Sequence, residues 1–221
     1  MWRYLLTFSM LLSCSMPAPA QKNLKAQLDS LLASGGNNFN GVILVTRGNK
    51  TLYERSQGYS DLQTKTPVKP GDQFIIGSIS KQITAVLVLR EYERGHLRLD
   101  APLSRYLPDL KHNWTDSVTI HDLLTHTSGV RENQQPPLVF KPGSRFEYSN
   151  TGFMLLGDVV AHTSGKTFAA MAEDLFNECG MKNSFHPGSK KHKRLVKGYT
   201  QDEQGKVSEV EIGRASCRER V

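Results

Sequence analysis

The sequence predicts one α+β domain in which a short antiparallel strand pair precedes several helices. Three observations lead to this class: two early β-rich runs around a turn, four later segments with apolar residues at helical spacing, and an ordinary globular composition. The 221 residues fit one domain or two, and the charged share of 22% is too low and too balanced for a disordered polyelectrolyte.

The elements follow from local patterns. Leucines at helical spacing predict an N-terminal helix over residues 24–32, which Gly35-Gly36 ends. The β-rich runs 39–46 and 51–59 flank a four-residue turn that contains Gly48, so they predict a hairpin. Apolar spacing predicts later helices over residues 78–93, 120–125, 151–162 and 168–179.

Residues 1–20 have the pattern of a cleaved signal peptide. Arg3 lies in a short basic start, an apolar run extends to Leu12, and Ala18-Pro19-Ala20 forms a small-residue exit. The run is only about half the roughly 20 residues that a membrane helix needs, so we expect export to the periplasm. The alternative is a lipoprotein, because Leu11 to Cys14 resembles a bacterial lipobox; membrane attachment is expected only if Cys14 is lipidated.

Residues 211–221 change composition abruptly, with Arg214, Arg218 and Arg220 around Cys217 and no apolar periodicity. With one permitted choice of codons, this string resembles a translated sequencing adapter. We interpret it as a non-native tail, with a genuine basic tail as the alternative. Residues 21–210 are then the folded part of the chain.

The formal charge of +7 does not predict a nucleic-acid partner. The densest basic cluster, at residues 190–194, contains no aromatic residue and follows Pro187-Gly188, which is typical of a solvated loop. Of the three cysteines only Cys179 lies outside the two ends. We therefore expect no intramolecular disulfide, and the apolar setting of Cys179 predicts a buried thiol.

The first candidate for chemistry is Ser78-Ile79-Ser80-Lys81. A separation of three residues on a helix places the lysine amine on the same face as the hydroxyl of Ser78, so a base lies beside a nucleophile. A helix N-terminus also favours developing negative charge. The alternative is an N-cap serine with a solvated lysine, but the preceding apolar run and Gly77 favour the catalytic interpretation.

The second candidate is Tyr148-Ser149-Asn150, just before the helix predicted from Thr151. A phenol can shuttle protons when an ammonium lies nearby, and an amide can bind both a substrate carbonyl and that ammonium. The alternative is that Tyr148 packs while Ser149 or Asn150 caps the helix.

Together these segments resemble the serine β-lactamase and penicillin-binding protein family, in its class C-like branch with D-alanyl-D-alanine carboxypeptidases and esterases. The match covers nearly all of residues 39–200. The segments that carry it are Gly41–Val45, Gly77–Lys81, Gly95–Asp100, Leu123–Gly129, Pro142-Gly143 with Tyr148–Asn150, and Gly180-Met181.

The resemblance implies an antiparallel sheet flanked by helices, with a helical subdomain. It implies Ser78 as the acylated nucleophile, Lys81 as its proton acceptor, Tyr148 as the partner acid or base, and Asn150 as the residue that orients substrate and lysine. The His-Thr-Ser-Gly segment of the family resembles a packed loop beside the site, so we assign His126 a structural role.

The family's third motif, Lys-Thr-Gly or His-x-Gly on a later strand, has no counterpart here, and Lys166-Thr167-Phe168 is no substitute. We therefore expect residues 21–210 to be the N-terminal part of such a domain, with an incomplete sheet. The sequence contains neither a Gly-x-Ser-x-Gly elbow nor a His-Glu-x-x-His pair, and we expect neither a cofactor nor a metal.

Three interpretations stay open. The first is an exported serine hydrolase that forms an acyl-enzyme with D-Ala-D-Ala peptides, β-lactams or small esters. The second is a penicillin-binding or sensing module in which acylated Ser78 is hydrolysed slowly. The third is an inactive fragment. The expected partner is a small-molecule or peptidoglycan-peptide substrate.

Overall fold

The computed structural model of the protein describes residues 20–34, 39–132, 134–187 and 194–210, with the backbone alone for residues 20–23. The predictions for residues 1–19, 190–193 and 211–221 lie outside the described residues. The chain divides into two compact units, an N-terminal unit that ends at Pro70 and a helical unit that begins at Gly71.

Among its described residues, the N-terminal unit has one helix and two short antiparallel strand pairs. Its elements are α1 (Ala20–Ser34), β1 (Gly41–Arg47), β2 (Lys50–Gln57), β3 (Tyr59–Asp61) and β4 (Thr66–Pro67). Gly41 pairs with Gln57 at the open end of the β1–β2 hairpin. Gly48 adopts φ 54° in the turn, a conformation that costs glycine little. The predicted helix and hairpin are confirmed; the β3–β4 pair was not predicted.

Polar contacts join α1 to the hairpin. The carboxylate of Asp29 accepts hydrogen bonds from the hydroxyl of Tyr53 (2.7 Å) and the guanidinium of Arg55 (2.9 Å), and it pairs with Lys25 one turn earlier (2.9 Å). The Tyr53 hydrogen bond, followed by that from Lys25, lowers the pKa of Asp29 to about 2. The ionised carboxylate therefore stabilises the packing of this helix on its hairpin.

In the described part of the helical unit there are four α-helices, followed by a strand pair. Its elements are α2 (Ser80–Glu93), preceded by a 3₁₀ turn over Gly77–Ile79, α3 (Ile120–Leu124), α4 (Asn150–Ser164), α5 (Phe168–Glu178), β5 (Gly198–Gln201) and β6 (Val207–Val210). All four predicted helices are confirmed. The antiparallel β5–β6 pair was not predicted, because its four-residue strands carry no clear apolar alternation.

The core of the helical unit lies where α2 packs against α4 and α5, and α3 packs against α4. Its most deeply buried members come from α2, α3, α4 and the connection between α2 and α3: Leu87, Val88, Leu103, Val118, Ile120, Leu123, Leu155, Leu156, Val159 and Val160. Buried residues recur at the helical spacing of i, i+3 and i+4 along α2, α4 and α5, so each of these helices packs one face into the core.

The residues that are buried in and next to α2 are only partly those that are apolar in the sequence. Ile79 and Val86 are exposed, whereas Glu91 is completely buried. Its carboxylate accepts hydrogen bonds from Arg94 (2.8 Å) and lies 2.7 Å from the ring of His96. These paired contacts make the buried carboxylate tolerable.

The prediction of a buried thiol is wrong, because Cys179 is exposed. It is the C-cap residue of α5, where the chain leaves the helix face that carries the buried Leu175 and Phe176. None of the helices in the described part of the chain combines the length and apolar character needed to cross a bilayer. Helices together with antiparallel strand pairs confirm the predicted α+β class.

Candidate active site

Ser78 lies in the 3₁₀ turn that leads directly into α2, and its side chain is exposed. The preceding Gly77 has φ 53°, which the chain uses to turn from an extended run into the helix. Ser78 thus stands at a helix N-terminus, where backbone N–H groups and the helix dipole favour an oxyanion.

Lys81 brings its amine to Ser78 from the first turn of α2. Its Nζ donates to Ser78 Oγ at 3.2 Å and to Asn150 Oδ1 at 2.8 Å. The first contact is the one that a three-residue helical separation predicts. The second joins α2 to the start of α4, across 69 residues of sequence.

Tyr148 approaches the same serine from the segment before α4. Its hydroxyl donates to Ser78 Oγ at 2.6 Å, and the Lys81 amine lies 4.8 Å from its ring centre. The structure therefore brings together all four residues predicted for the site, Ser78, Lys81, Tyr148 and Asn150.

The start of α4 explains how Asn150 can reach the lysine. Ser149 is the N-cap and accepts the N–H of Gly152 at 3.0 Å, so the helix does not need the Asn150 side chain as a cap. Glu132 accepts the Asn150 N–H at 3.1 Å and the Thr151 hydroxyl at 3.0 Å. Glu132 was not predicted, since no local pattern marks it.

His126 packs beside the tyrosine with φ 58°. Its ring stacks on that of Tyr148 with centres 4.7 Å apart, and its Nδ1 accepts the N–H of Ser149 at 3.1 Å. Phe146 and Phe153 also contact the ring. Burial, and then the charge of Lys81, lower the pKa of His126 below its ordinary value of 6.5. The imidazole is therefore neutral near pH 7.

The arrangement has the parts of a nucleophilic serine centre. A single hydroxyl contacts both an amine and a phenol, either of which can exchange its proton. Within the described residues, no three histidine, cysteine, aspartate or glutamate side chains converge as metal ligands would.

Comparison with known proteins adds independent information. The family described as Beta-lactamase matches residues 28–216. The esterase EstB of Burkholderia gladioli is 34% identical over 170 residues, which are 61% of this chain and 43% of that protein. A beta-lactamase of Providencia stuartii is 30% identical over 180 residues, which are 74% of this chain and 46% of that protein.

A solved structure supports the same relationship at the level of the fold. The penicillin binding protein from Bacillus halodurans superposes with a TM-score of 0.72 at 29% identity, covering 82% of this chain and 64% of that one. The chain spans less than half the length of the two curated relatives.

Proposed function

Because the chain belongs to the beta-lactamase family, we propose that Ser78 is the nucleophile of an acyl-transferring serine hydrolase. The observation that carries the proposal is that Ser78 Oγ lies 3.2 Å from the amine of Lys81 and 2.6 Å from the hydroxyl of Tyr148. The similarity to an esterase and to a beta-lactamase supports hydrolase chemistry in this family.

Acylation begins when Ser78 Oγ attacks the carbonyl carbon of the substrate. Lys81 in its amine form accepts the hydroxyl proton as the bond from Oγ to carbon forms. The bond from carbon to the leaving nitrogen or oxygen then breaks, and Tyr148 gives its proton to the leaving atom. The Lys81 proton returns to the phenolate, which keeps the proton count in balance.

Deacylation uses the same two groups in the reverse direction. Water attacks the acyl carbon while the phenol–amine pair accepts its proton, and Ser78 Oγ recovers a proton as it leaves. Asn150 keeps the amine in place through its 2.8 Å contact and orients the substrate carbonyl through the same amide group. N–H groups at the start of α2 supply stabilisation of the oxyanion.

We assign the substrates to D-Ala-D-Ala peptides, β-lactams or small esters, all of which present a carbonyl with a departing amine or alkoxide. The pattern of residues 1–20 supports an exported, periplasmic protein, with lipid attachment at Cys14 as the alternative.

The test is labelling of the full gene product by a fluorescent penicillin and by a fluorophosphonate, with turnover of p-nitrophenyl acetate in parallel. Ser78→Ala removes the nucleophile and should abolish labelling and turnover. Ser80→Ala is the matched control, because this hydroxyl lies two residues along the same helix start, and the variant should keep both activities. Undiminished labelling of Ser78→Ala would reject the proposal.

The same probes report the other parts of the proposal. A labelled band in the periplasmic fraction of the native cell supports export, and a band confined to the cytoplasm contradicts it. A long-lived adduct without ester turnover would instead favour the slow penicillin-binding module.

A further inference from the structure

The imidazole of His126 makes two different contacts to the short segment that carries Tyr148 and Asn150. Its ring stacks on the Tyr148 ring with an angle of 28° between the planes. Its Nδ1 also accepts the N–H of Ser149, the buried N-cap of α4. One side chain therefore fixes both a ring orientation and the backbone of the next residue.

A backbone hydrogen bond of His126 adds to these two side-chain contacts. The backbone carbonyl of His126 accepts the N–H of Glu147 at 2.8 Å, so the same residue binds the chain on both sides of Tyr148. Tyr148 itself is 48% exposed. A partly exposed phenol with a required 2.6 Å contact needs such support.

We infer that His126 is a positioning residue, which holds the Tyr148 hydroxyl on Ser78 and the start of α4 in register for Asn150. The inference rests on the proposed function of Ser78. It assigns His126 no direct contact with substrate or with the reacting atoms; its effect passes through Tyr148.

The hydrogen bond from the Ser149 N–H to His126 Nδ1 depends on the protonation state of the imidazole. Nδ1 can accept the Ser149 N–H only when it is unprotonated, so the neutral ring carries its proton on Nε2. Protonation removes the acceptor and places a positive charge near the side chain of Lys81. Burial, and then the charge of Lys81, lower the pKa of His126. The Nδ1 acceptor is therefore lost only at acid pH.

The surroundings of the ring show which other groups titrate nearby. Lys81 faces it from α2, and Tyr148 faces it from the segment before α4; that segment also supplies Phe146, and α4 itself supplies Phe153. The neighbouring carboxylates are engaged elsewhere. Glu147 pairs with Arg145, Glu132 accepts from the start of α4, and Asp122 of α3 accepts from Thr119 and Thr127.

Two substitutions separate the two contacts. In His126→Asn the amide oxygen can still accept the Ser149 N–H, and asparagine tolerates the left-handed backbone at φ 58°, but the stacked ring is lost. In His126→Phe the ring remains and the acceptor is lost. If both variants are less stable than wild type, thermal denaturation shows it. A loss of stability can thus be distinguished from a displacement of the Tyr148 side chain.

The kinetic test is a double-mutant cycle in the full gene product with p-nitrophenyl acetate. His126→Asn should lower kcat by roughly 10-fold to 10²-fold with little change in KM, because the phenol is misplaced while the binding surface is kept. In a Tyr148→Phe background the same change should have almost no further effect. Equal losses in both backgrounds would show a merely structural role and overturn the inference.

The pH profile provides a second kinetic readout. Wild-type kcat should fall as the pH drops through the pKa of His126, below 6.5, and the ratio of wild type to His126→Asn should shrink over the same interval. A ratio that stays constant with pH would contradict the role of the neutral imidazole.

A spectroscopic test does not depend on turnover. With ring-labelled tyrosine, the Tyr148 resonance is identified by its absence in Tyr148→Phe. It should shift in His126→Asn and on acidification of the wild type, but not on acidification of His126→Asn. An unmoved resonance overturns the inference even in an active enzyme, whereas a shifted resonance without any turnover rejects the proposed function and keeps the contact.

Discussion

The N-terminal unit and the helical unit bury their apolar side chains to very different extents. In the N-terminal unit only Tyr53 and Val68 are buried among the described apolar residues, and Leu44 in the middle of β1 is 59% exposed. In the helical unit α2, α3, α4 and α5 all contribute to one buried cluster. One unit is held chiefly by strand pairing and polar contacts, the other by packing.

This difference explains where a catalytic centre can be built. Ser78 lies in the turn that leads into α2, Lys81 lies on α2 and Asn150 on α4, and these two helices pack directly on each other. A close-packed core resists changes in their separation, which proton transfer needs because a displacement of about 1 Å can cost 10²-fold in rate. A two-stranded hairpin offers no comparable rigidity, because such pairs are only marginally stable by themselves.

Among substitutions that test the contrast between the two units, the largest effect is expected from a change of Lys81. Lys81→Met keeps most of the stem but removes the amine next to Ser78, so acylation should slow by at least roughly 10²-fold, as is typical when a general base is lost. The measurement is the rate of adduct formation with a fluorescent penicillin in the full gene product.

Lys182→Met is the matched control, because Lys182 is an exposed lysine of the same unit. It should acylate at the wild-type rate. If Lys81→Met slowed acylation only twofold, Tyr148 would be the sole base. The packing of α2 on α4 would then hold the site residues in position, but α2 would not supply the base.

The sequence predicted the local part of the site by physical reasoning and the distant part only by family resemblance. Ser78 and Lys81 are three residues apart at the start of one helix, so their spacing predicts the contact between them, although the spacing alone does not identify a catalytic pair. Tyr148 is separated from Ser78 by 70 residues, and no periodicity can predict a contact over that distance. Glu132 and the contacts of His126 depend on loop geometry, which the sequence does not encode in any local pattern.

The fold shows the same division. Helical spacing predicted α2 and α4 well because a helix in a packed core repeats its buried face every three or four residues. It did not predict which face of α2 is buried, since Glu91 becomes buried only through Arg94 and His96. Cys179 shows the same limit: its neighbours are apolar, but the helix ends there and leaves it exposed.

An intermediate effect is expected from two equivalent substitutions, one in each unit. Leu156→Ala removes a completely buried side chain of α4 and should lower the free energy of unfolding by about 2–5 kcal/mol. Leu44→Ala changes an exposed side chain of β1 and should stay within about 0.5 kcal/mol of wild type. Urea denaturation of the 221-residue chain measures both, and equal losses would mean that the hairpin is covered in solution as thoroughly as the helical core.

The smallest effect should come from Asp29, whose contacts hold α1 on the hairpin. The pKa of this carboxyl is lowered from 3.8 to about 2, mainly by the Tyr53 hydrogen bond, so the contact stabilises the N-terminal unit fully above about pH 4. As the pH falls towards 2 the carboxylate is protonated and the stabilisation is lost. Asp29→Asn should therefore open the hairpin slightly at pH 7 and make it less sensitive to acid between pH 4 and 2 than wild type.

Hydrogen exchange of the peptide that spans β1 and β2 measures this opening directly. Glu54→Gln is the matched control, because Glu54 is an exposed carboxylate on β2, and its exchange should follow wild type at both pH values. Because Asp29 is partly exposed, the gain in exchange at pH 7 should be smaller than that caused in the helical core by Leu156→Ala. Faster exchange in α2 and α4 of Asp29→Asn would show that the two units unfold together. It would contradict the distinction between a unit held by strand pairing and polar contacts and a unit held by packing.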